Sequence, residues 1–135
     1  MSATTTDRNT SYKDVQILGL GLAAGVSVLA GTIAVLNADG FGQMGDTAAD
    51  LIYVGCFEES VDNTTGADGD VKAKVRREKA FNWENDDADP VTQAELGQVC
   101  YIVDNQTVAA TNDGGTRSAA GVVWEIDADG SVWVK

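Results

Sequence analysis

An all-β fold is what this sequence predicts, and three observations predict it. Turn chemistry punctuates the chain roughly every 8–12 residues, the cadence of a sandwich or barrel. The runs between those turns are rich in β-branched and aromatic residues. There are 15 glycines against a single proline, Pro90, which suits many tight turns better than long helices. A chain of 135 residues has material for one core. The expected architecture is therefore a single small β-barrel domain, residues 13–135, with an extended N-terminal arm, residues 1–12.

The arm (MSATTTDRNTSY) is polar and has no apolar period. It lacks the apolar core and cleavage pattern of a secretory signal. Thr5, Thr6, Arg8, Tyr12 and the adjoining Lys13 are its candidate contact residues, expected to become ordered on a partner. Residues 15–36 carry no charge, and Gly21 and Gly25 have the spacing of paired membrane helices, so an alternative reading is a membrane anchor spanning 15–36. Four glycines and the polar Gln16, Ser27 and Thr32 divide this stretch into strand-sized pieces instead, at 15–20, 26–29 and 33–36. Further strands are expected at 51–57, 71–77, 79–83, 99–103, 119–126 and 132–135. In the fifth of these nine runs, Val71, Ala73 and Val75 alternate with Lys72, Lys74 and Arg76. One face of it should be buried and the other a basic stripe that docks on protein. Asp129-Gly130 signals a hairpin; with a two-residue turn, Ile126 would face Trp133, with Trp124 on the same side. One short helix is expected at 90–97, opened by Pro90 and stopped by Gly97. No internal repeat is visible.

The charge balance is 21 acidic against 9 basic residues, net −12, which disfavours nucleic acid and anionic membrane as partners. Histidine is absent, which removes the commonest general base and zinc ligand. Cys56 and Cys100 sit in apolar runs and read as buried thiols. Residues 62–70 gather oxygen ligands around glycines, but the pattern lacks the acidic residue that completes a calcium loop, so it reads as a solvated turn. Gly19, Gly21 and Gly25 approach a dinucleotide fingerprint without the βαβ context. No catalytic residue, metal site or cofactor is expected, and the chain reads as a non-enzyme.

From about residue 23 onward the sequence resembles the capsid decoration, or cement, proteins of tailed bacteriophages. The likeness lies in residues 24–40 (AGVSVLAGTIAVLNADG), 53–63 (YVGCFEESVDN), 71–77 (VKAKVRR), 99–108 (VCYIVDNQTV), 117–123 (RSAAGVV) and 127–134 (DADGSVWV). It departs from them at 17–24, which is more apolar and glycine-rich. The resemblance implies a β-tulip-like domain on the outer surface of the virion capsid, made in the host cytoplasm. It also implies the major capsid protein as partner, cemented at neighbouring subunits by the arm, and other copies of the chain in a homotrimer or a dimer. A tail or baseplate β-domain is the neighbouring alternative.

Overall fold

A computed structural model describes residues 2–11 and 13–135. Residues 2–11 are exposed and carry no helix or strand. The strands that follow are β1 (Ile17–Gly21), β2 (Ser27–Val28), β3 (Ile33–Leu36), β4 (Gly42–Met44), β5 (Ile52–Phe57) and β6 (Val61–Asp62). After them come β7 (Lys72–Arg76), β8 (Phe81–Asn85), β9 (Val99–Ile102), β10 (Thr107–Ala109), β11 (Ala119–Ile126) and β12 (Val132–Val134). The fold is all-β, as the sequence predicts.

Two five-stranded units are formed. The second is a closed barrel in the order β10-β8-β12-β11-β9. A ring with an odd number of strands cannot be antiparallel throughout, so one neighbouring pair must run parallel. That pair is β8 with β10. The first unit is an antiparallel sheet in the order β1-β7-β5-β3-β4. Its ends meet where Leu22, just past β1, bridges in parallel to Gly42, with the Ala23 N–H donating to the Gly42 carbonyl at 2.9 Å.

The two units have the same topology. Reading β1, β3, β4, β5, β7 against β8, β9, β10, β11, β12 in turn, the strand order and directions coincide. Registers coincide too. Ile33↔Cys56 and Val35↔Tyr53 in the first unit correspond to Val99↔Val122 and Tyr101↔Ala119 in the second, with a register shift between the two pairs in each case. Leu36↔Gly42 corresponds likewise to Ile102↔Val108. Each irregularity holds a glycine, Gly55 or Gly121, whose missing Cβ would run into a backbone carbonyl, that of Arg76 or Lys135 respectively. The chain is thus a structural repeat that its sequence does not reveal. Side-chain identities differ between the two units while the pairing geometry is shared.

Several local expectations need correction. Residues 15–36 form β1, β2 and β3 and not one continuous helix, and no helix among the described residues is long and apolar enough to cross a membrane. Strands β4, β6 and β10 are too short to show a period. Residues 90–97 yield only a 3-10 turn, Gln93–Glu95, although Thr92 and Glu95 make a capping box and Gly97, at φ 82°, does end it. The β11–β12 hairpin has a longer turn than expected. The Asp127 N–H bonds to the Ser131 carbonyl, and Gly130 sits at φ 92°, which adds a residue. Ile126 therefore faces Val132, while Trp133 is paired with Glu125.

One apolar cluster fills each unit. Leu20, Leu22, Val28, Ala34, Phe57, Ala73 and Val75 form the first. Trp83, Val91, Cys100, Ile102, Val108, Val123, Val132 and Val134 form the second, and Ile33 and Val35 of β3 join it. The outer face of β3 thereby seals the junction between the sheet and the barrel. Polar groups there are satisfied: Ser118 Oγ donates to the Ala48 carbonyl and accepts from the Leu51 N–H, and the Trp83 indole donates to the Tyr53 hydroxyl at 3.1 Å.

Candidate docking surfaces

Strand β7 carries the predicted alternation. Ala73 and Val75 are buried, Lys72 and Lys74 are exposed, and Arg76 is half-buried. Strand β5 runs beside β7 and places Glu58 and Glu59 against it. The Arg76 guanidinium pairs with the Glu58 carboxylate, and Glu59 accepts from the Lys74 backbone N–H at 3.1 Å. The stripe is therefore less cationic than its sequence reads, and Lys72 and Lys74 are its outward charges.

On the other side of β7 lies β1. Gly19 and Gly21 stand opposite Lys74 and Lys72, so the surface beside the lysines is flat. The Arg77 N–H bonds to the Gln16 carbonyl and the Leu22 N–H to the Val71 carbonyl. Antiparallel pairing then turns the backbone groups of Ile17 and Gly19 away from β7. β1 ends the sheet order, so among the described residues this row of donors and acceptors faces no strand before the Leu22 bridge.

Thr5, Thr6, Arg8 and Lys13 are all exposed, and Arg8 Nη1 donates to the Thr10 hydroxyl at 2.6 Å. Tyr12 lies outside the described residues. Among the described residues no hydrogen bond or ion pair joins Thr5, Thr6, Arg8 or Lys13 to the β7 stripe.

The acidic turns are occupied by their own backbone. Asp62 accepts from the Thr64 N–H, Asp68 from the Ala24 N–H, Asp70 from the Ala67 N–H, and Asp129 from the Ser131 N–H and hydroxyl. Asp89 receives the Thr111 hydroxyl and the Arg117 guanidinium, and these bonds, Thr111 first, hold its carboxyl below the usual range. Among the described residues no group of three or more His, Cys, Asp or Glu is placed to hold a metal ion. Both cysteines are free thiols. Burial pushes Cys100 up to about 12 and raises Cys56 as well.

One surface escaped the sequence reading. Val99, Val122, Trp124 and Leu96 are exposed at 41%, 38%, 61% and 43%, on β9, β11 and the turn that leads into β9. Their inward neighbours Cys100 and Val123 are equally apolar, so no alternation marks which side faces water. No protein-family model, curated protein or solved structure matches this chain.

Proposed function

We propose that this chain is a non-enzymatic structural protein that binds other proteins, and that its partner is the outer surface of a tailed-phage capsid, where it cements neighbouring major capsid subunits. The observation that carries the protein-binding part is the outer edge of β1. It is an uncharged strand with an open row of backbone donors and acceptors, next to exposed lysines on β7. Such an edge takes up an extended segment of a partner by adding it as a further strand, and Lys72 and Lys74 select a segment with acidic neighbours. The capsid as partner rests on the resemblance in residues 24–40, 99–108 and 117–134. Many copies on one shell act together, so a modest contact per copy suffices.

The test is to mix the purified chain with undecorated heads and with tails, and to measure co-sedimentation and heat resistance. Saturable retention on heads, with shells that survive higher temperature, is expected. Retention on tails alone would move the protein to the tail or baseplate, and retention on neither would overturn the proposal.

A further inference from the structure

Four aspartates precede a glycine, Asp39, Asp68, Asp113 and Asp129, and the chain has no Asn-Gly pair. Aspartate before glycine is where a main chain can rearrange, because glycine has no Cβ to shield its nitrogen from the carboxyl group. The rearrangement needs two groups at once, the carboxyl carbon of the aspartate and the nitrogen of the glycine. Folding engages at least one of them at three of the four pairs. The Gly40, Gly69 and Gly130 N–H groups donate to the carbonyls of Asn37, Leu22 and Asp127 at 3.0, 2.8 and 2.9 Å. The Asp68 carboxylate also accepts from the Ala24 N–H, and that of Asp129 from Ser131. Asp113-Gly114 differs. Asp113 bonds through its own N–H, to the Thr111 hydroxyl, and through its carbonyl, from the Thr116 hydroxyl. The Asn112 carbonyl gathers the N–H groups of Gly115, Thr116 and Arg117 and skips that of Gly114. Among the described residues, neither the Asp113 carboxylate nor the Gly114 N–H has a hydrogen-bond partner.

The loop around this pair has room to move. Residues 111–116 are exposed, and a Cβ placed on Gly114 or Gly115 would meet no atom within 4 Å. Asp113 itself is held at φ 49°, a left-handed conformation that side chains disfavour. The stem of the loop is fixed instead. The Asp89 carboxylate accepts from the Thr111 hydroxyl at 2.6 Å and from the Arg117 guanidinium at 2.9 Å. The tip can therefore change its covalent path while the stem stays on the barrel.

We infer that Asp113-Gly114 is a site of spontaneous backbone modification, at which the folded chain forms isoaspartate. The Gly114 nitrogen attacks Cγ of the Asp113 carboxylic acid. An N–Cγ bond forms, and the amide proton leaves with the carboxyl hydroxyl as water, which closes a succinimide ring. Water then adds back at one of the two ring carbonyls. Cleavage of the N–Cγ bond restores aspartate. Cleavage of the bond between the nitrogen and the main-chain carbonyl carbon leaves the chain running through Cγ, one methylene longer. The former carbonyl carbon becomes the carboxylate, and no oxidant or reductant enters. That carboxylate, on an exposed turn, is the group that a protein-isoaspartyl methyltransferase esterifies with the methyl of S-adenosylmethionine.

Ageing the folded full chain for weeks in warm buffer, beside a sample held unfolded in urea, tests this. Peptide mapping with electron-transfer fragmentation locates isoaspartate, and labelled methyl transferred by an isoaspartyl methyltransferase counts it. In the folded chain, isoaspartate should accumulate at Asp113 several-fold faster than at Asp39, Asp68 or Asp129. In urea that preference should disappear, because the hydrogen bonds that protect the other three pairs are gone. Asp113→Glu keeps the charge but would have to close a larger, less favourable ring, so the folded variant should lose most of its methyl acceptance. Circular dichroism checks that this variant folds, which an exposed side chain without a partner favours. A folded chain that isomerises as fast at any of the other three pairs overturns the inference. So does an Asp113 that stays intact in the folded chain while it isomerises in urea, or a preference for Asp113 that persists in urea. Undiminished methyl acceptance in folded Asp113→Glu overturns it as well.

Discussion

Gly55 and Gly121 occupy matching irregularities on β5 and β11, and they show how single residues hold this fold. At each, a methyl group would collide with a rigid backbone carbonyl of the neighbouring strand. Gly55 also sits at φ 151°, where other residues are strained. Gly55→Ala is therefore expected to destabilise by about 2–4 kcal/mol, combining collision and backbone strain. Gly121→Ala, with collision alone, should lose about 1–3 kcal/mol. Urea denaturation of the two variants beside the wild type measures both. Cys100 makes a different residue-scale statement. Its thiol points from β9 into the barrel interior, where burial pushes it up from the ordinary 9.0 to about 12. Its contribution to stability is complete below pH 9 and disappears as pH climbs from there towards 12, because the unfolded chain releases the proton first. Denaturation midpoints should accordingly fall above pH 9. Cys100→Ala should flatten part of that fall, and labelling of the native protein at pH 8 should be slow.

At the scale of elements, β7 and the arm make separable predictions. Lys74 projects outward from a strand whose inward positions, Ala73 and Val75, are buried, so its charge can be reversed without entering the core. Lys74→Glu should weaken attachment to heads most at low ionic strength, where opposite charges are least screened. Equal retention of variant and wild type at low salt would leave this face merely solvated. The arm precedes β1 and contributes no strand to either sheet among its described residues. Deleting residues 2–12 should leave the melting temperature unchanged. Affinity for heads should fall by about 2–5 kcal/mol, the range in which ordering and contact compete for such segments. Occupancy titrations of truncated against full-length protein decide this.

At the scale of the whole molecule, β3 ties the five-stranded sheet to the barrel. Ala34 points into the first cluster while Ile33 and Val35 point into the second, so one strand serves both cores. Neither unit can lose β3 without exposing the other. Unfolding should be a single transition. All three tryptophans, Trp83, Trp124 and Trp133, lie in the second barrel, so fluorescence follows that unit while far-ultraviolet dichroism follows both. The two probes should give coincident curves in urea. Ile33→Ala should shift both together, by about 2–5 kcal/mol. Separate transitions would show two independent units joined by a linker.

What the sequence by itself determined is the β character of the chain, most strand positions and the basic face of β7. These depend on local rules. Glycine turn chemistry, β-branched runs and a two-residue alternation act within a few residues, and each is visible without knowing what lies across the sheet. Tertiary structure alone decided three things. It joined the strands into two units of one topology, because strand order is set by pairing between distant segments, which leaves no mark in local composition. It placed Glu58 and Glu59 beside the β7 lysines, because cross-strand neighbours are fixed by register. It also buried one β3/β5 face and left its β9/β11 counterpart bare. Both faces read as apolar in sequence, and only the position of the second barrel separates the covered face from the open one.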